Sequence, residues 1–295
     1  MTILTARQSQ TPARLQLQLQ SVAVRGVKQG GKKTEDKMTS TPSDLTIGIL
    51  QTGQNRADLK GKFDQYPMMF DRLLNSKAGP RWTKLDTYRV LDGAFPAHIN
   101  TCDGYIVTGS AAGVYEDHSW MEPLMVFIRE AFDADIPLLG ICFGHQAIAQ
   151  ALGGEVVKWP DGWGVGVKPT RFERQPAAKA ELPDDAVVQL IYFHQDQVIR
   201  LPEGAERLAS NDFCDVAGFT LSTTDGVQTV LCLQGHPEFD ASYSAALLDA
   251  IEDKVGTERT DIAQASLAQK TDATLVAGWI KEFFTTAAPR RGWAA

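Results

Sequence analysis

No run of roughly 18 or more apolar residues occurs in the 295-residue sequence, and no apolar segment of the length a secretion signal needs lies near its start. Neither a membrane span nor export through such a signal is therefore expected. Cysteine is scarce: the four residues at 102, 142, 214 and 232 include no Cys-x-x-Cys pair and no zinc-type spacing to histidine. That scarcity excludes a disulfide scaffold and, in a chain this long without a signal peptide, favours reduced thiols in a cytosolic setting. Internal repeats are absent, as is any Gly-rich phosphate loop for ATP. At 43% hydrophobic and 22% charged residues, the composition also sets aside extended disorder and collagen-like repeats.

Positive charge is confined unevenly. Residues 1–37 carry seven Lys or Arg against Glu35 and Asp36, a net of +5, so the overall −7 leaves −12 on the remainder. An acidic body of this kind repels phosphate backbones, and nucleic-acid binding is not expected. The basic segment alternates Gln8, Gln10, Gln16, Gln18 and Gln20 with small or aliphatic residues and builds no helix-length apolar face before Gly30 and Gly31. It reads as a disordered tail over 1–43. A start site upstream of a working Met38 would leave the protein cytoplasmic, whereas an organelle transit peptide would make it organellar. Residues 289–295 read as a second, frayed tail.

Between them, 44–288 alternates apolar strands with amphipathic helices. Strand-like runs fall at Leu45–Leu50, Leu85–Leu91, Gly104–Val107, Ile136–Ile141, Ala186–Phe193 and Val227–Leu233. Helical spacing covers Tyr66–Asn75, Ser119–Phe132, Gly144–Leu152, Ser242–Lys254 and Thr271–Thr285. Continuous apolar strands between helices predict one three-layer α/β/α domain around a mostly parallel sheet.

In such a sheet, ligands bind beyond the C-terminal strand ends. Cys142 stands there, inside Gly140-x-Cys142-x-Gly144 between a strand and a helix. This is a nucleophile elbow with cysteine as the nucleophile, and the helix N-terminus favours its thiolate. A thiolate enzyme needs a proton-shuttling base and a group to orient it. His236 follows an apolar strand and is separated from Glu238 by Pro237, so base and orienter can point the same way. Cys102, Cys214 and Cys232 lack glycine brackets and read as small buried hydrophobes.

The motifs GICFGHQ, around Cys142, and GHPEF, with His236 and Glu238, resemble the class I glutamine amidotransferase family of Cys-His-Glu type, over roughly 45–255. GICFGHQAIAQALGG followed by GWGVG is similar to its stand-alone branch, related to the glutaminase domain of GMP synthase and including γ-glutamyl peptidases. The resemblance implies a flavodoxin-like fold and no cofactor or metal. It implies that Cys142 forms a γ-glutamyl thioester, that His236 protonates the departing amine and then activates water, and that Glu238 orients His236. DGYIVTGSAAG matches the family's oxyanion loop, so backbone N–H groups of Gly109 or Ser110 would join that of Phe143. Gln146 matches a substrate-contacting glutamine, and FHQDQV places His194 and Asp196 nearby. Trp163 is expected either at a leaving-group pocket or packed on the sheet.

The resemblance leaves three readings: a free-standing hydrolase of a γ-glutamyl amide (glutamine, a γ-glutamyl peptide or a glutathione conjugate), a glutaminase subunit serving a separate synthetase, and a non-catalytic module on the same fold. The missing ATP loop leaves either a free-standing hydrolase, which is favoured, or a subunit whose synthetase is separate, and the intact Cys142, His236 and Glu238 argue against a silent module. Two further expectations follow. Activity should fall at low pH as His236 and Cys142 gain protons, and an acidic body must hold its small zwitterionic or anionic substrate by local donors rather than by long-range attraction.

Overall fold

Short all-apolar runs form the centre of a mixed sheet. The computed structural model describes residues 45–75, 81–177, 182 and 186–288. Both tails of the sequence reading, 1–43 and 289–295, lie outside the described residues. In chain order the first half comprises β1 (Thr46–Leu50), α1 (Tyr66–Leu74), β2 (Lys84–Tyr88), β3 (Gly104–Val107), α2 (Met121–Asp133), β4 (Leu138–Ile141) and α3 (Phe143–Ala151). There follow β5 (Glu155–Lys158), β6 (Gly164–Phe172), β7 (Val187–His194), β8 (Asp196–Arg200), β9 (Glu206–Ser210), β10 (Gly218–Ser222) and β11 (Gln228–Leu233). The chain then turns helical through α4 (Ala241–Ala250), α5 (Glu252–Val255), α6 (Thr257–Ser266) and α7 (Ala273–Ala287).

Nine strands pair in the order β2-β1-β3-β4-β11-β10-β9-β6-β7, while β5 and β8 form a separate antiparallel ribbon. The five strands from β2 to β11 are mutually parallel. From β11 to β7 every pairing is antiparallel.

Side-chain alternation along the parallel strands builds two cores. Ile106, Leu139, Ile141, Leu231 and Leu233 face α1 and α7 with Phe70, Ile280 and Phe284. Tyr105, Val107, Leu138, Val230 and Cys232 face α2 and α3 with Leu124, Ile128 and Ile148. These are the period-two faces of strands buried on both sides. Helices therefore cover both faces of the sheet, giving the three-layer α/β/α arrangement of class I amidotransferase type expected from the sequence. A third cluster, with Val165 and Ile191 from β6 and β7 and Tyr243 and Leu248 from α4, seats α4 to α6 on the antiparallel half.

Each predicted element of the parallel half is present, with small shifts. Leu85–Leu91 divides into β2 and a short 3₁₀ turn, Val90–Asp92. Strand β4 starts after Pro137 rather than at Ile136. The antiparallel strands β6, β9 and β10, the ribbon strands β5 and β8, and helix α6 carry no element in the sequence reading. Helix α6, TERTDIAQAS, has no apolar stripe: Ile262 is exposed and Ala263 is the hydrophobe it buries.

Candidate active site

The elbow is formed by backbone crowding. Strand β4 ends at Ile141 and α3 begins at Phe143, leaving Cys142 alone to turn the chain at φ 53° and ψ −104°. A positive φ in a residue with a side chain is strained and persists only where its surroundings enforce it. Here the flanking glycines let helix and strand touch. A Cβ at Gly144 would lie 2.1 Å from the carbonyl oxygen of Val107, and one at Gly140 would lie 2.6 Å from that of Gly144. Cys142 N–H donates to Leu233 O at 2.9 Å, which extends the β4–β11 register by one step and aligns both strand ends.

Three residues beyond β11, His236 N–H donates to Ile191 O on β7 at 2.7 Å. The antiparallel half thus curls round until β7, at the far edge of the sheet, meets the end of β11. The same strand approaches the nucleophile, with Cys142 Sγ 3.8 Å from Phe193 O. His236 Nδ1 is 2.7 Å from Glu238 Oε1, and its ring stacks on Phe239 with centroids 3.9 Å apart and planes 10° from parallel. Burial alone would strip the proton from His236. The charges of Glu238 and Cys142 outweigh it and hold the pKa up, to about 10. A pKa raised in this way favours the charged imidazole beside Glu238 and Cys142.

Cys142 and His236 open into a cavity of about 660 Å³, walled also by Gly109, Ser110, Gln146 and Asp196. Glu238 lies behind His236, its side chain shut off from solvent.

A family model for class-I glutamine amidotransferases matches residues 85–249. The chain belongs to that family. Gamma-glutamyl peptidase 4 of Arabidopsis thaliana is 30% identical over 201 residues, which span 65% of this chain and 75% of the peptidase. A glutamine-hydrolyzing GMP synthase of Cupriavidus pinatubonensis is 29% identical over 188 residues, 58% of this chain but 33% of the synthase. A glutamine amidotransferase from Thermotoga maritima shares the fold with a TM-score of 0.62 at 17% identity, covering 83% of this chain and 99% of that one.

Around Cys142 the remaining sequence-derived residues fall as follows. Gly109 lies at the junction of the two reactive side chains: a Cβ there would be 3.1 Å from His236 Cε1 and 3.9 Å from Cys142 Cβ. Ser110 follows it on the cavity wall. Phe143 is the first residue of α3, with its ring buried edge-on to Trp120. Gln146 Nε2 donates to Asp196 O at 2.9 Å and to Gln234 Oε1 at 3.0 Å, committing its amide hydrogens and leaving its oxygen as an acceptor. Asp196 is half-buried and accepts from Tyr115 Oη at 3.0 Å; burial raises its carboxyl pKa and the Tyr115 hydroxyl partly offsets this. His194 Nδ1–H donates to Asp196 O at 2.9 Å. Burial first, and the charge of His236 as well, push His194 down to about 4, so its ring is neutral and steadies the β7–β8 turn.

His145 is fully buried against Phe219, away from the cavity, and burial pushes it down to about 3. His118 stacks on Trp120 and pairs with Glu116 at 2.9 Å. Trp163 lines the cavity and is set edge-on to Phe193 of β7, with ring centroids 6.0 Å apart. Among the described residues no group of three or more His, Cys, Asp or Glu gathers as metal ligands, and no helix is long and apolar enough to cross a membrane.

The sequence reading missed several cavity residues. Tyr243 Oη donates to Asn55 Oδ1 at 3.2 Å and lies 3.5 Å from Tyr66 Oη, tying α4 to α1 beneath Phe239. Phe239 was open to detection, since it completes GHPEF directly after Glu238. Lys254 and Arg259 gave no signal, because both lie on polar helices whose placement beside the cavity depends on the whole fold.

Proposed function

We propose that this amidotransferase-family protein is a γ-glutamyl amide hydrolase working through a thioester on Cys142. The carrying observation is geometric: His236, hydrogen-bonded to the buried Glu238 at 2.7 Å, shares one cavity wall with Cys142 at its elbow. The 30% identity to a gamma-glutamyl peptidase over 75% of its length supports the same reading.

The Cys142 thiolate attacks the γ-carbonyl carbon, and the electron pair moves to the carbonyl oxygen. Backbone N–H groups of Phe143 and of Gly109 or Ser110 receive that oxyanion, a contribution of about 3–4 kcal/mol for each donor. With Nδ1 on Glu238, His236 offers Nε2–H to the leaving nitrogen. The C–N bond breaks, a neutral amine departs, and Cys142 holds the γ-glutamyl group. The now neutral Nε2 takes a proton from water as its oxygen adds to the thioester. Cleavage of the C–S bond then restores thiolate and imidazolium and releases glutamate with its γ-carboxyl protonated, which gives up that proton to solvent. Glu238 orients the ring and fixes the tautomer. The acceptor oxygen of Gln146 and the carboxylate of Asp196 suit the α-ammonium end of the substrate.

Purified protein offered glutamine, γ-glutamyl dipeptides and glutathione conjugates should cleave a γ-glutamyl amide with no partner added. Activity that arises only on adding a synthetase would replace this reading with the glutaminase-subunit one. The likeness to GMP synthase, confined to a third of that enzyme, is what keeps the second reading in play.

A further inference from the structure

The chain outside its basic N-terminal segment is strongly acidic, yet Arg56, Lys158, Lys254 and Arg259 all line the cavity, against Glu116 and Asp196. Most of these charges are already engaged. Arg56 pairs with Asp58 at 3.1 Å and Glu116 with His118 at 2.9 Å. Lys158 stands beside Asp196, close enough to lower its carboxyl pKa, and so belongs to the end of the cavity suited to the α-amino acid.

Lys254 on α5 and Arg259 on α6 differ: neither forms an ion pair with a carboxylate among the described residues. Arg259 is also held in place. Its Nη1 donates to Asp161 O at 2.9 Å and to Trp163 O at 3.1 Å. The turn is shaped round it, since Gly162 has φ +87° and a Cβ there would lie 2.5 Å from Nη1. A guanidinium fixed by neutral carbonyls keeps its whole charge for a ligand. Contacts lead from it to the nucleophile, because Trp163 is edge-on to Phe193 and Phe193 O is 3.8 Å from Cys142 Sγ. Its field is also felt behind the site, where it adds to burial in lowering the pKa of Lys168.

We infer that Lys254 and Arg259 form an anion subsite for a carboxylate on the leaving amine, so that the preferred substrate is a γ-glutamyl peptide or conjugate ending in a free carboxylate. Glutamine, whose leaving group is ammonia, brings nothing to this subsite. The inference rests on the hydrolase reading above and adds to it the chemistry of the leaving group.

The test compares full-length protein on γ-glutamyl-alanine and γ-glutamyl-alaninamide, which differ by one terminal charge. The readout is the ratio of their kcat/KM values, compared between wild type and variants so that the intrinsic reactivity of the two amides cancels. Lys254→Gln, at an exposed position, should lower the acid-to-amide ratio roughly three- to tenfold, as loss of a partly exposed charge-assisted contact does. Lys254→Glu should lower it further, and adding Arg259→Gln should bring it toward the value set by chemistry alone. A ratio unmoved by all three changes overturns the subsite even though cleavage proceeds. So does equal loss on both substrates, which would assign these cations to the γ-glutamyl end or to folding. If neither substrate is cleaved and a glutamine-analogue electrophile fails to add to Cys142, the hydrolase reading itself falls and takes the subsite with it.

Discussion

His236 Nδ1 lies 2.7 Å from Glu238 Oε1, with the Glu238 side chain shut off from water and that of His236 nearly so. In so dry a place the carboxylate interacts with imidazolium far more strongly than it would at the surface. Together with Cys142 it outweighs burial and raises the pKa of the ring, which favours the charged imidazole. The pair thus decides the protonation state from which the chemistry starts.

The first prediction concerns pH. A proton on His236 is needed for the leaving amine and is lost as pH rises through about 10, so kcat should fall on that alkaline side. Glu238→Gln removes a contribution that raises the pKa, so the alkaline limb should move to lower pH and the rate drop about 10²- to 10⁴-fold. The stability sign agrees. A histidine raised from 6.5 to about 10 by folding contributes stability that is complete below pH 6.5 and lost as pH climbs through 10. Denaturant midpoints from pH 6 to 10.5 should show that loss in the wild type and less of it in His236→Asn.

A second prediction tests the nucleophile. A glutamine-analogue electrophile should add one γ-glutamyl equivalent per chain, and Cys142→Ala should abolish the adduct. Intact mass spectrometry decides it; an adduct surviving in Cys142→Ala would move the chemistry to another thiol.

The elbow offers a third. Gly144→Ala places a Cβ 2.1 Å from Val107 O, a backbone atom that cannot yield without shifting β3. Thermal or denaturant unfolding should show a loss of about 1–3 kcal/mol. Gly153, where a Cβ meets nothing but φ is +92°, serves as a control for left-handed strain without a clash.

Tyr115→Phe separates binding from chemistry. It removes the hydroxyl that opposes burial at Asp196, so the Asp196 carboxyl should hold its proton to higher pH. If this carboxylate receives the substrate's α-ammonium, KM should begin to rise at a higher pH on the acid side, with kcat on the neutral plateau little changed. A fall in kcat with KM unaltered would remove Asp196 from that role.

The inner strands of the parallel half were legible because strands buried on both faces are largely apolar. LTIGIL, GYIV and VLCL announce themselves without their neighbours. Cys142, His236 and Glu238 were legible for a related reason, since an elbow and a strand end are local patterns in the sequence. The antiparallel strands β6, β9 and β10 were not, because GVGVKPTRF and ERLAS mix charge, proline and glycine with apolar residues and make sense only once paired.

By itself, then, the sequence determined the three-layer class and marked Cys142, His236 and Glu238 as candidates, all of which depend on contacts between near neighbours or on a repeating burial pattern. Tertiary structure alone decided how far those partners are charged and what surrounds them. The hydrogen bond from His236 N–H to Ile191 O, the approach of Phe193 to Cys142, and the placing of Lys254 and Arg259 at the cavity join elements far apart along the chain. A sequence pattern carries no information about the dryness or the net field at such a meeting point, and those two quantities set the direction in which the pKa of His236 moves.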